Sequence, residues 1–194
     1  MKDNGKQDTM KRNIHYIYNI ASLLLLGAAT PLAAQTIRGK IYGGGQLATV
    51  DGDTKVQINS GTIGDGEAFD GGVFGGGLGE PTVVTGNVMV NIGKSNSDKD
   101  AAGPTINGDV YGGSALGNTN CSSGLVATPD KTTQVALNAG TIKGSMYGGA
   151  LGQKNGIDGA TKDVAANVYG PVQVDVNGGI VLRREGDDGG TFSG

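Results

Sequence analysis

Apolar and polar residues alternate with a period of two along most of the chain after residue 35, and no stretch there has the helical period. The alternation is clearest in four short segments, at residues 56–59, 88–91, 135–138 and 172–177. Valine, isoleucine and leucine supply most of their apolar positions. Because strict alternation of β-branched residues is typical of β-strands, we expect an all-β domain.

A second pattern, Thr-Ile-x-Gly-x-apolar-aromatic-Gly-Gly, occurs at residues 36–44, 105–113 and 141–149, and a stretched copy covers residues 62–76. Repeat units therefore begin near Thr36, Thr62, Thr105, Thr141 and Ile180. The inserted segments are polar and lie at residues 65–71, 93–103, 118–130 and 153–166. Internal repetition with insertions confined to loops is typical of stacked solenoids.

Each unit predicts about three short strands separated by glycine-rich corners. Strands this short cannot form a sheet within one unit, so each should pair with its counterpart in the next unit, about 4.8 Å away. The predicted fold is a parallel β-helix (β-solenoid) of about five rungs over residues 35–194. Its inward residues should stack in three rows: Ile37, Ile106 and Ile142; Ile41, Val73, Val110 and Met146; and Ile58, Val90 and Leu137 with Val174 or Val176.

Two kinds of small polar or glycine positions have a structural interpretation in this fold. The glycine in the middle of the second pattern would let facing strands approach closely, at Gly39, Gly108 and Gly144. An asparagine ends the same strand in successive units, at Asn59, Asn91, Asn138 and Asn177. Asparagine tolerates a left-handed backbone, and stacked amides can hydrogen-bond along a ladder. We therefore predict a structural asparagine ladder.

The first 34 residues have the organisation of a secretory signal peptide. Lys11 and Arg12 precede an apolar segment at residues 14–29, and small residues at 31–34 precede Gln35. The segment is shorter than the ~20 apolar residues of a membrane-spanning helix, which favours cleavage over an anchor. We expect a signal-peptide helix at residues 1–34, an exported protein in the extracellular space or on the outer cell surface, and no membrane span in the mature chain.

The repeat domain at residues 35–194 stops just after the fifth unit begins, without a visible cap. A solenoid needs a polar cap on its last rung to stay soluble. We therefore expect a domain truncated at its C-terminal end, or an end that rests on a partner or on a longer parent chain.

Composition and charge exclude several functions. Glycine accounts for 38 of the 194 residues, but the glycines keep register with apolar residues, unlike those of a disordered linker. The net charge is −3 and no basic stripe is present, which argues against binding to nucleic acid. Cys121 is the single cysteine of the sequence, so neither an intrachain disulfide nor a thiolate metal cluster can form.

The chain resembles the glycine-rich "VYGGG"-repeat parallel β-helix surface proteins of Gram-negative bacteria of the Bacteroidetes kind, and more loosely the passengers of autotransporter adhesins. The residues that carry this resemblance are 41–45, 73–77, 110–113 and 146–149. The resemblance implies a surface-displayed solenoid, whereas the activity stays open, because such solenoids serve as adhesins, stalks and enzyme scaffolds. This chain contains neither a translocating barrel nor a sorting domain typical of those proteins.

The aromatic position of the repeat is the candidate ligand-binding feature. Strand alternation puts Tyr42, Phe74, Tyr111 and Tyr147 on the outer face, where a ladder of rings could stack against sugars. The alternative, which we favour, is that the following Gly-Gly bends the chain and turns the rings inward as core or stacking filler.

Metal, cofactor and catalytic sites are not expected. The loop carboxylates Asp51 and Asp53, the group Asp65, Glu67 and Asp70, and Asp187 with Asp188 lack the spacing of known calcium motifs. Glycine-rich segments such as 75–79 are not followed by a helix that could bind phosphate. The only histidine, His15, lies in the predicted signal peptide, and the charged run at residues 183–185 is typical of solvated surface.

These observations predict a secreted or cell-surface structural, adhesin-like module without catalytic activity and without a cofactor. The alternative is a carbohydrate-binding module that uses the aromatic ladder, and a polysaccharide-lyase type of scaffold ranks below both. Expected partners are surface glycans or host and matrix molecules, together with neighbouring rungs of the solenoid.

Overall fold

The structure, a computed structural model, describes residues 35–66, 70–94 and 103–182. These residues form strands, turns and bends and contain no helix. Consequently, no helix that could cross a membrane is found in the described ranges. The predicted signal peptide at residues 1–34 lies outside them.

The described residues form sixteen short parallel strands, four in each of the first three turns. The first turn contains β1 (Thr36–Ile37), β2 (Lys40–Tyr42), β3 (Thr49–Val50) and β4 (Thr54–Ile58), and the second contains β5 (Thr62–Ile63), β6 (Gly72–Phe74), β7 (Val83–Val84) and β8 (Val88–Ile92). The third contains β9 (Thr105–Ile106), β10 (Val110–Tyr111), β11 (Asn118–Thr119) and β12 (Thr133–Leu137). The last strands are β13 (Thr141–Ile142), β14 (Met146–Tyr147), β15 (Val172–Val176) and β16 (Ile180–Val181).

Equivalent strands of successive turns pair to form four sheets, as the repeat pattern predicts. Their orders are β1-β5-β9-β13-β16, β2-β6-β10-β14, β3-β7-β11 and β4-β8-β12-β15. The predicted all-β parallel solenoid is thus confirmed, with about four complete turns and β16 opening a further one. The first three turns have four strands where the sequence predicts about three, because β3, β7 and β11 add a column at the corner.

Two of the three predicted rows are stacked as expected, although Ile37 at the end of one row is exposed, and the third row needs a correction. Ile41, Val73, Val110 and Met146 are paired in register, as are the isoleucines that begin each turn. In the long strands, however, Ile58 pairs with Ile92 rather than Val90, and that row continues to Leu137 and Val176. A shift of two residues keeps every side chain on the same face, so alternation alone could not distinguish the two registers.

Strands approach each other closely at the first glycine of the Gly-Gly pair that follows each aromatic residue. A Cβ added at Gly75 would lie 2.2 Å from the Gly112 carbonyl oxygen and 2.5 Å from Val88 Cγ1, and one at Gly112 would lie 2.4 Å from the Gly148 oxygen. By contrast, one at Gly39 would meet nothing within 4 Å. The prediction that Gly39 has this role is wrong, and at Gly144 the close neighbours are Asp109 and Gly108 of the adjacent turn rather than a facing strand.

The predicted asparagine ladder exists only in part. Asn177 donates its amide to Asn138 Oδ1 at 2.9 Å, and Asn59 Oδ1 accepts from Gln57 at 2.9 Å. Asn91 does not belong to this row, since it pairs with Gln57 and Ala136 inside the strands, and Gly93 follows Ile92 where asparagine follows the strand in other turns. The left-handed backbone is supplied instead by glycines two residues on, at Gly61, Gly140 and Gly179.

Candidate functional site

The four aromatic residues singled out from the sequence form a continuous stack. Strands β2, β6, β10 and β14 hold them in register, one per turn. The ring centroids of Tyr42 and Phe74 are 5.0 Å apart, those of Phe74 and Tyr111 5.0 Å, and those of Tyr111 and Tyr147 4.8 Å. The rings are nearly parallel, with interplanar angles of 11°, 0° and 15°. We call this stack the aromatic ladder.

The ladder lies outside the main core but is not open to solvent along its length. Four apolar residues belong to or pack on the main core: Ile41, Val73, Val110 and Met146. The rings of Tyr42, Phe74 and Tyr111 instead form a second cluster with Leu78, Ala115 and Leu151. Phe74 is 2% exposed and Tyr111 9%, whereas the terminal Tyr147 is 46% exposed. The ladder therefore lies between the two predicted arrangements. Its rings point away from the main core, as in the exposed ladder, but they pack in a cluster of their own, as expected of stacking filler.

The stacking geometry determines what the ladder can bind. Sugars stack on the faces of aromatic rings, but each inner ring already has both faces against its neighbours. The side of the ladder thus presents ring edges. Among the four rings of the ladder, Tyr42 and Tyr147 each have one face without a ring neighbour.

A row of residues four positions after each aromatic residue packs beside the ladder. Gln46, Leu78, Ala115 and Leu151 are joined by parallel β-bridges, and we call them the corner row. The next residues turn the chain with a left-handed backbone, at Leu47 (φ 53°), Gly79 (φ 100°) and Leu116 (φ 62°). Leucine rarely adopts this conformation. Backbone hydrogen bonds to the next turn hold Leu47 and Leu116 in it, since their N–H groups donate to the carbonyl oxygens of Leu78 and Leu151. This row was not predicted from the sequence, although Leu or Ala recurs at that spacing in three of the four units.

The predicted insertion at residues 153–166 folds as a small hairpin against the corner row. Gln153 and Val164 form an antiparallel bridge with two backbone hydrogen bonds of 3.0 Å. Lys154 Nζ contacts Asp163 at 2.6 Å, and Lys162 contacts Glu80 of the second turn. Val164 is buried at the base. We call residues 153–164 the hairpin; it is tied to the second turn through Glu80.

A cleft of about 570 Å³ lies between the hairpin and the first three turns. Its apolar surface comes from Leu78, Ala115, Leu116 and Leu151, with Tyr42 and Phe74 alongside. Its polar groups are Lys40, Gln153, Lys154 and Asp158. The hairpin residues 157–160 also line it, and Ile157 is 58% exposed. The cleft is the candidate binding site of the described residues.

Burial and hydrogen bonding shift the pKa values of two groups beside the cleft, Tyr42 and Asp163. Partial burial raises the pKa of the Tyr42 hydroxyl, which therefore stays neutral. Hydrogen bonds from the Lys154 ammonium and then from the Asn155 backbone lower the pKa of Asp163, which keeps that pair charged. Lys40 forms no salt bridge with any residue that the structure describes.

The loop carboxylates considered for calcium are engaged in contacts between or within turns. Asp51 accepts from the Thr85 hydroxyl at 3.1 Å, Asp53 from the Asn87 backbone at 2.7 Å, and Asp70 from the Asp65 backbone at 3.2 Å. In the described ranges, no three His, Cys, Asp or Glu side chains are grouped to hold a metal ion. Glu67, Asp187, Asp188 and the charged run at 183–185 lie outside those ranges.

Comparison with family models, curated proteins and solved structures found no match to this chain. The aromatic ladder and the cleft are therefore interpreted from their own geometry. Of the two, the ladder is mainly used in packing, and the cleft is the part with space for a ligand.

Proposed function

We propose that the protein is an exported structural module of the adhesin-like kind, displayed outside the cell or on its outer surface and without catalytic activity. The observation that supports this best is the in-register stacking of equivalent strands in all four sheets. With about 4.8 Å between paired strands, four turns give a rigid rod roughly 20 Å long. Such a rod works through its sides and ends, as expected of the VYGGG-repeat surface proteins that the sequence resembles.

Cleavage at the boundary predicted for the signal peptide would leave the repeat domain whole. A compact unit of the chain begins at Gln35. The Gln35 carbonyl oxygen already accepts a hydrogen bond from the Thr62 backbone at 2.8 Å. Cleavage before Gln35 would thus leave the first turn's backbone contacts intact.

Export is tested by expressing the full chain in a Gram-negative host with an epitope inserted after Leu125, in an exposed loop. We expect an N-terminus at Gln35 and labelling of intact cells or the medium. Deleting residues 23–26 from the apolar segment provides the control, which should stay uncleaved and inside the cell. An uncleaved wild-type chain in the cytoplasm would contradict the proposal.

A carbohydrate-binding function is the second candidate, and one observation favours it. Tyr147 is half-exposed and has a ring neighbour on one side only, at 4.8 Å, so a sugar could stack at that end of the ladder. Binding to immobilised surface glycans or matrix glycoproteins should then fall at least tenfold in Tyr147→Ala. The matched variant Tyr169→Ala removes a tyrosine outside the ladder and should bind normally. Equal loss in both variants would count against the ladder as the contact.

A further inference from the structure

We propose that the cleft between the hairpin and the corner row binds a small amphipathic anion. The ligand would have an apolar aliphatic or aromatic body and one carboxylate, sulfonate or phosphate group. This site is separate from the Tyr147 end of the ladder, and its occupation does not depend on the structural role proposed above.

The size and rigidity of the cleft fit a small molecule. A volume of about 570 Å³ lies within the range of roughly 300–1,000 Å³ found for ligand pockets. The floor is fixed, because parallel β-bridges join Leu78 to Ala115 and Ala115 to Leu151. The opposite wall is held by the Lys162–Glu80 contact and the Gln153–Val164 bridge. The cavity is thus formed before a ligand enters.

Ala115 is the residue that opens the floor. Its neighbours in the corner row are leucines, Leu78 in the second turn and Leu151 in the fourth. A methyl group therefore stands where the adjacent turns have a four-carbon side chain. A leucine at this position would project into the space that the cleft now occupies.

The lining favours an amphipathic body over a sugar. Most of the lining residues are apolar, whereas a sugar buried there would need a hydrogen-bonding partner for each of its hydroxyl groups. Phe74 has both faces against Tyr42 and Tyr111, so it offers only its edge. Alkyl chains and aromatic rings pack against such edges and leucine side chains without unsatisfied polar groups.

The charge at the rim favours an anion. Lys40 has no salt-bridge partner in the described residues, and its stem runs along Gly72, where an added Cβ would lie 3.5 Å from Lys40 Cγ. Lys154 is already paired with Asp163 at 2.6 Å, so it contributes less. Lys40 is therefore the group expected to meet the anion of the ligand, while Asp158 on the hairpin disfavours a second negative charge nearby.

The experiment uses the full chain, with the fluorescent probe 1-anilinonaphthalene-8-sulfonate and with decanoate as competitor. Wild type should bind the probe, and decanoate should displace it. Ala115→Leu should weaken probe affinity at least tenfold, and Lys40→Glu about tenfold. Lys55→Glu makes the same charge change on an exposed residue of β4, and Val126→Ser removes an exposed apolar residue elsewhere; both should bind as wild type.

If Ala115→Leu loses its β-sheet circular dichroism, the comparison of Lys40→Glu with Lys55→Glu decides. Equal affinity in those two variants would overturn the site, because the probe would then bind another apolar surface. Displacement by maltohexaose but not by decanoate would overturn the ligand class in favour of a sugar.

Discussion

At the scale of single residues, the Gly-Gly pair explains why the repeat is so rich in glycine. Gly75 and Gly112 lie between the carbonyl of the next turn and the valines of the long strands, so any side chain there would overlap both. The neighbouring aromatic residue points the other way, into the ladder. The aromatic-Gly-Gly segment of each turn therefore determines both how closely the strands approach across the core and where the rings lie.

Gly112→Ala should destabilise the protein by about 3 kcal/mol, at the upper end of typical overpacking costs. The added Cβ would lie 2.4 Å from the Gly148 carbonyl oxygen and 2.8 Å from Val135 Cγ2, and neither the backbone nor the packed valine can move away easily. Gly149→Ala is the matched control, because a Cβ there meets nothing within 4 Å. Urea denaturation of both variants measures the difference, and a similar midpoint for the two would contradict this role of the glycine.

At the scale of elements, strand type and the stacking of units could be predicted, whereas the register of the long strands and the short corner strands could not. Alternation identified the long strands, but Val90 and Ile92 both face inward, so the pairing of Ile58 depended on where β8 begins. The column of β3, β7 and β11 was missed because strands of two residues carry almost no periodic signal. The cleft was missed because it requires the hairpin to fold back onto Glu80, a contact between distant residues.

The corner before β4 links three turns through Asn87. Its backbone and amide donate to Asp53 of the first turn, at 2.7 Å and 3.3 Å, and its side-chain oxygen accepts from the Thr132 backbone of the third at 3.0 Å. Hydrogen bonds from the Asn87 backbone and side chain, with a smaller effect of Lys131, lower the pKa of Asp53.

This corner should contribute to acid sensitivity. Because the folded pKa of Asp53 is below the unfolded value of about 3.9, its contribution is present above that pH and is lost as the pH falls through the folded pKa. Asp53→Asn should therefore lower the melting temperature slightly at pH 7 and flatten its fall between about pH 5 and pH 2. Asn87→Ala should flatten it in the same way.

The control for this experiment is Asp158→Asn, which removes one exposed carboxylate from the hairpin, far from the corner in sequence. It should keep the wild-type fall of the melting temperature with acid. The corner has no such role if Asp53→Asn and Asp158→Asn give the same curve.

At the scale of the whole molecule, stability in a solenoid is a sum of turns and of the contacts between neighbours. The four sheets keep one register throughout, so any turn should fit on any other. The last long strand differs from the earlier ones in exposure, since Val172, Val174 and Val176 are exposed while Val88 and Val90 in the second turn are buried. The end of the described solenoid is therefore the surface where a further turn would gain the most burial.

Interchangeable turns predict that deleting residues 62–104 leaves a shorter solenoid. The deletion joins Gly61 to Thr105, and Thr105 would then replace Thr62 as the partner of Thr36, since both occupy the same register position. Tyr111 would stack on Tyr42 as Phe74 does now, and β12 would pair with β4. We expect β-sheet circular dichroism and cooperative melting to persist, with a lower melting temperature because one interface between turns is lost. Deleting residues 73–115 removes the same number of residues but joins Gly72 to Leu116. The joined turn then loses both Val73-Phe74 of β6 and the whole of β10, with the Gly-Gly pair of each, so it keeps no aromatic strand and cooperative melting should be abolished. Equal behaviour of the two deletions would mean that register does not hold the turns together.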